Sequence, residues 1–144
     1  MTSRSSDAEA TLLLVDAANV VGSRPDGWWR DRAGAASRLI QRIASDLADS
    51  GEVVVVLEGA ARRGVGPGTT GTAGTAGTVR VVHAEGSGDD DIVARVADAV
   101  HHEPDLAVTV VTADRGLRAR VEQLGAQTRG PGWLWQHLDQ ASAD

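Results

Sequence analysis

The chain has 144 residues, a net charge of −6, no cysteine and no lysine, its fourteen basic residues all being arginine. That length suits one domain with a real core, and the charge argues against a molecule whose whole surface attracts nucleic acid. The composition also excludes disulfides, thiolate metal sites and every active site built around a lysine. In chain order, residues 1–10 (MTSRSSDAEA) are small and polar and read as a loose tail, not as a signal peptide. "TLLLVD" (11–16) then predicts a first strand, and three similar runs follow: "EVVVVLE" (52–58), "TVRVVHA" (78–84) and "LAVTVVTAD" (106–114). All are short and nearly continuous in apolar residues, as strands buried on both faces are. Between the first two runs, Ala36, Leu39, Ile40, Ile43 and Leu47 share one face of a helix over about 29–49, which Trp28 and Trp29 open and Gly51 stops. Ile92, Val93, Val96 and Val100 mark a second helix, and Leu117, Val121 and Leu124 a third, with Gly125 as its stop. A brief fifth strand fits near 126–129, and Trp133, Leu134 and Leu138 suggest a short last helix.

Strand alternating with helix predicts an α/β fold around a mainly parallel sheet of four to five strands. One break in the rhythm stands between the second and third strands. There, "GAARRGVGPGTTGTAGTAGT" (59–78) has no side chains with which to bury a face, so a flexible Gly/Thr-rich loop is expected over 64–78. Gly66, Gly68 and Gly71 spell G-x-G-x-x-G within it, but no helix follows, as a dinucleotide site would require. The four histidines show no metal-ligand spacing, and His101-His102 suits the end of a helix ahead of Pro104. No apolar run approaches the ~20 residues of a membrane helix, so a soluble cytoplasmic protein is expected.

The acids fall where chemistry is expected. Ligands of open α/β sheets sit beyond the carboxyl ends of the strands. Asp16 ends the first strand, Glu58 the second, Asp89, Asp90 and Asp91 follow the third, and Asp114 follows the fourth. Singly, each has a plain explanation, since aspartate is a common helix cap and both Asp89 and Asp114 precede helices. Together they repel: two carboxylates ~4 Å apart cost about 4 kcal/mol at an effective dielectric of ~20. Protons or a cation must join them, and an all-oxygen ligand set favours Mg²⁺ or Mn²⁺. Such an ion polarises a phosphoryl oxygen and lowers the pKa of bound water. Rival chemistries lack parts. Ala18 stands where a D-x-D nucleophile pair would need its second acid, and a P-loop needs a lysine.

The three consecutive aspartates separate on a helical projection of about 100° per residue. Asp89 falls on the buried face of the helix, Asp90 about 105° away and Asp91 about 155° away, close to Arg95 and Asp98. Asp114 falls within about 55° of the buried face of its own helix. Asp89 and Asp114 are therefore expected to point inward, and Asp91 outward to serve the helix dipole.

"LLVDAANVVGS", "GSGDDDIV" and "VVTADRGLR" resemble the acidic blocks of the NYN domain, a branch of the PIN-like nuclease superfamily, and the similarity runs over about residues 11–130. The resemblance implies a three-layer α/β/α sandwich and a divalent-metal-dependent ribonuclease. It implies Asp16, Asp89 and Asp114 as metal-binding acids, Asp90 and Glu58 as additional ones, and Asn19 as the polar residue that orients the first block. Thr112 and Arg115 match the polar positions beside the last acid and are expected among the substrate contacts. Arg62 and Arg63, just beyond the second strand, and Arg24, after the first, suit phosphate contacts. A base could stack on one of the four tryptophans, though a tryptophan opening a helix more often covers the edge of the core. The long Gly/Thr tract is not a feature of the family. Hydrolysis of RNA, with RNA as partner and Mg²⁺ or Mn²⁺ as cofactor, is the function expected. A nucleotide pyrophosphohydrolase using the same acids and an RNA-binding module with little catalysis are the alternatives. The oligomeric state stays open, a homo-oligomer included.

Overall fold

The computed structural model describes residues 11–23, 31–46, 51–59, 68–70 and 78–143. Among these residues six strands form one sheet: β1 (Thr11–Asp16), β2 (Glu52–Leu57), β3 (Gly68–Thr70), β4 (Thr78–His83), β5 (Ala107–Val111) and β6 (Gln127–Arg129). Their order is β3-β4-β2-β1-β5-β6, and every pairing is parallel except β3 with β4. Five helices accompany them: α1 (Ala17–Gly22), α2 (Arg32–Asp46), α3 (Gly88–His102), α4 (Arg115–Gln123) and α5 (Pro131–Ala143).

The strand runs behave as their composition demands. β-branched valines fill β2, and Val53 to Leu57 are all buried because β2 lies between two parallel neighbours with helices over both faces. Successive side chains alternate between those faces. Val15, Val53, Val55, Leu57 and Val111 pack with α1, α2 and α5. Leu12, Leu14, Val54, Val56, Val108 and Val110 pack with Ile92 and Val96 of α3 and Leu117 and Val121 of α4. The result is the expected α/β fold in three layers with a mainly parallel sheet. α4 ends where expected: Gly125 takes a φ of +104°, a conformation that costs glycine little and other residues much.

Three features go beyond the sequence reading. A short helix, α1, follows β1 directly. α5 runs for 13 residues, longer than the short closing helix expected. The Gly/Thr tract also contributes a strand, since Gly68–Thr70 pairs antiparallel with Val79–Val81 at the edge of the sheet. Strand pairing needs only backbone groups, so a tract without apolar side chains can still supply an edge. The rest of that tract, the N-terminal tail, Leu47, Arg24, Trp28, Trp29, Arg62 and Arg63 lie outside the described residues.

The chain path creates the position at which a site can form. From β1 it moves to β2 and β4 on one side, then crosses to β5 on the other side of β1. The sheet order thus reverses between β1 and β5, and the crevice at the carboxyl ends of such a strand pair is where ligands enter open α/β sheets.

Candidate active site

Asp16 is the last residue of β1. Leu12 and Leu14 face α3 and α4, and the two-residue strand period carries Asp16 to the same side. Its side chain is 2% exposed. A buried carboxylate must be satisfied by hydrogen bonds, and two side chains do this. Asn19 of α1 donates from Nδ2 to Asp16 Oδ2 at 2.8 Å, and Thr112 donates from Oγ1 to the same oxygen at 2.9 Å. Asp16 occupies the N-cap position of α1.

The same groups tie β1 to the segment after β5. The Ala113 backbone N–H donates to Asn19 Oδ1 at 3.2 Å, and the Asp114 N–H donates to Thr112 Oγ1 at 3.1 Å. Both ends of the Asn19 amide are thus engaged with protein groups, which makes it a positioning residue. Thr112, placed by the sequence reading among substrate contacts, is fully buried and spends its hydroxyl on Asp16 and the Asp114 backbone. It belongs to the frame of the site. Asp114 caps α4, its Oδ1 accepting the Leu117 N–H at 3.0 Å.

Asp89 enters from the opposite strand pair. β4 ends at His83, and Ser87 caps α3 by accepting the Asp90 N–H at 3.1 Å. The S-x-x-D spacing of Ser87 and Asp90 was a legible cap signal, one that releases Asp89 from capping. Its carboxyl is pushed up to about 6, first by burial, then by the charges of Asp114 and Asp16, by a hydrogen bond with Asp114, and by the charge of Glu58. Asp16 is also raised, by burial above all, against the lowering effect of its bonds from Thr112 and Asn19. Asp16, Asp89, Asp114 and Glu58 thus form one electrostatic cluster.

The neighbouring acids differ. Asp90 is exposed and pairs with Arg120 of α4 at 3.1 Å, while Asp91 pairs with Arg95 at 2.7 Å, one turn along α3. Glu58, directly after β2, accepts the Gly88 N–H at Oε1, 3.0 Å away. Arg115 is exposed at the start of α4. Trp135, expected at the edge of the core, is anchored there by donating from Nε1 to the Val20 carbonyl at 3.1 Å and to Ser23 Oγ at 2.9 Å. A crevice lined by Ala17, Ala18, Val21, Arg32, Ala36, Glu58 and Gly59 opens beside the carboxyl ends of β1 and β2. No local pattern announces it, because its walls come from three separate segments.

Among the described residues, no three His, Asp or Glu side chains are gathered in an arrangement that would hold a metal ion. In kind, the donors of the cluster fit a hard divalent cation, being all carboxylate. In arrangement they are a group of like charges that raises the pKa of Asp89.

No family model matches the chain, and no curated protein matches it. Among solved structures, the crystal structure of Rae1 (YacP) from Bacillus subtilis is similar. It has a TM-score of 0.71 and 20% identity, covering 92% of this chain and 75% of that one. The structure of a point mutant of the same protein gives a TM-score of 0.70 and 21% identity, covering 92% of this chain and 77% of that one. At such identity the likeness establishes the fold alone.

Proposed function

We propose that this chain is a divalent-metal-dependent ribonuclease that hydrolyses a phosphodiester bond. The observation that carries the reading is the convergence of Asp16, Asp89 and Asp114 at the point where the sheet order reverses, with Asp16 and Asp89 both held reluctant to ionise. A carboxyl raised by burial together with specific charged neighbours, sitting at a crevice, is a candidate for a functional site. The fold shared with Rae1 and the resemblance of the three acidic blocks to NYN domains support the same reading.

In this reading Asp16, Asp89 and Asp114 would hold Mg²⁺ or Mn²⁺, and the bound ion would supply Lewis acidity at the phosphate and a more acidic water. Asn19 and Thr112 hold the Asp16 carboxylate through its Oδ2. Arg115, exposed one residue beyond Asp114, offers a planar donor to a flanking phosphate, as would Arg62 and Arg63. The apolar crevice beside Ala17 and Ala18 leaves room for the chain on one side of the cluster. RNA is the proposed partner and the cytoplasm the proposed location. Among the described residues, no helix is long and apolar enough to cross a membrane.

The deciding experiment incubates purified protein with single-stranded and structured RNA, and separately with nucleoside triphosphates, with Mg²⁺, with Mn²⁺ and with EDTA. Cleavage of RNA that stops in EDTA, returns on adding metal and is lost in Asp89→Ala is expected. Turnover of free triphosphates would favour a nucleotide hydrolase, and RNA binding without cleavage in any metal would favour a binding module.

A further inference from the structure

Glu58 is an acid of the cluster whose carboxylate holds a backbone amide 30 positions away along the chain. It follows β2 directly and reaches across to the start of α3, where its Oε1 accepts the Gly88 N–H at 3.0 Å. β2 and β4 are parallel neighbours, and the Ala84 N–H donates to the Leu57 carbonyl at 2.8 Å, so the two strand ends leave the sheet side by side. Gly88 is what lets the carboxylate come so close. A Cβ at that position would stand 2.5 Å from Glu58 Oε1 and 3.4 Å from its carboxyl carbon, and Gly88 is itself buried. Asp89 is the next residue. The amide that Glu58 grips is therefore that of the residue immediately before the one that must reach Asp16 and Asp114.

We infer that Glu58 is a positioning residue for the acidic site: by holding the Gly88 amide it fixes where the first turn of α3 delivers Asp89, and it acts through that hydrogen bond and not as a metal ligand. This rests on the ribonuclease reading for its effect on activity, but not for its structural part. Ser87 caps the Asp90 amide and Glu58 holds the Gly88 amide. Two of the free N–H groups at the helix start are thereby satisfied from two different elements, which sets the turn in direction as well as in place. A carboxylate with an oxygen committed to an amide at hydrogen-bond distance is also the partner best suited to a helix start.

The two roles for Glu58 predict opposite outcomes for a neutral isostere. Glu58→Gln keeps an Oε1 that can accept the Gly88 N–H but loses the charge a cation would need. Glu58→Ala loses both. Gly88→Ala keeps the charge and forces the carboxylate away. Three measurements are made on each purified protein: exchange of the Gly88 amide with solvent, Mn²⁺ affinity, and the rate of RNA cleavage. The expected pattern is protection of the Gly88 amide in wild type and Glu58→Gln, and its loss in Glu58→Ala and Gly88→Ala. Mn²⁺ affinity and cleavage should stay within a few-fold of wild type in Glu58→Gln and fall roughly 10- to 100-fold in the other two, the range typical of residues that orient a metal ligand. Should Glu58→Gln fall together with Glu58→Ala while its Gly88 amide stays protected, Glu58 is a ligand and the inference is overturned. Unchanged protection in Glu58→Ala overturns it as well. If wild-type protein neither binds Mn²⁺ nor cleaves RNA, the ribonuclease reading fails, while the exchange pattern still decides whether Glu58 holds the turn.

Discussion

The first turn of α3 presents two kinds of aspartate within three residues. On its outer side, Asp90 and Asp91 each have an arginine, Arg120 at 3.1 Å and Arg95 at 2.7 Å. On its inner side, Asp89 meets Asp114, Asp16 and Glu58, all acids, and its carboxyl is pushed up to about 6. Residue type and sequence neighbourhood are the same, and the electrostatic situation is opposite. A charge run that is merely a solvated helix start finds cations, as the outer pair does. A carboxyl that folding places among other carboxyls is held in an unfavourable state, and the fold keeps it there only because the sheet and two helix starts fix all of its neighbours. Charge density along the sequence therefore says little, whereas the sign of the surroundings separates Asp89 from its two neighbours.

The largest test of this contrast is activity. Asp16→Asn and Asp89→Ala should lower metal-dependent RNA cleavage by at least roughly 100-fold, the scale seen when one electrostatic contact to a reacting group is lost. Asp90→Ala and Asp91→Ala should stay close to wild type. Rates for the four proteins, each checked for folding by circular dichroism, decide it, and loss at Asp91 with survival at Asp89 would reverse the assignment.

Thr112→Val should come next, through stability. It removes a buried hydroxyl that donates to Asp16 and accepts from the Asp114 N–H, leaving both without that partner, at a cost of about 1–3 kcal/mol. A urea titration of the variant against wild type reads this directly. A midpoint equal to that of wild type would mean that the frame around Asp16 is held by something else.

A pH dependence follows from Asp89. Its ordinary value is 3.8 and its folded value about 6. Between those values the folded protein keeps a proton that the unfolded chain has released. Stability from this group is therefore greatest below about pH 4 and is lost as the pH rises through about 6, and the upward shift of Asp16 acts in the same direction. Metal-free Asp89→Asn should be more stable than wild type at pH 7, by an amount on the order of 1 kcal/mol after solvent screening. The advantage should shrink on approach to pH 4. Thermal melts of the two proteins across that range test it, and a pH-independent difference would show that Asp89 ionises normally.

The smallest effect belongs to the outer pair. Asp91→Ala removes one turn-spaced ion pair with Arg95 and should cost only about 0.3–0.5 kcal/mol. That loss should fade in high salt, whereas the effects at Asp16 and Thr112 should persist.

The kind of fold and the edge on which the acids gather follow from local pattern along the chain. Apolar runs of strand length, spaced by helical patterns, can bury their faces only in a parallel sheet covered on both sides. A strand followed by an acid then delivers that acid to the carboxyl edge. The projection of α3 put Asp91 on the side of Arg95, and the two pair, but it made Asp91 the outermost of the three, whereas the Asp91 side chain is 26% exposed and that of Asp90 is 74% exposed. Tertiary structure alone decided the rest. Thr112 looks like any polar loop residue until β5 pairs with β1 and sets its hydroxyl against Asp16, 96 positions away. The bond of Glu58 to the Gly88 amide spans 30 positions and follows from the pairing of β2 with β4. The strand Gly68–Thr70 had no side-chain pattern to announce it, because only backbone groups make that edge. Local periodicity is set by the bonds along the chain, whereas the partner of a buried polar group is set by which strands become neighbours, and the spacing of residues along the sequence does not encode that directly.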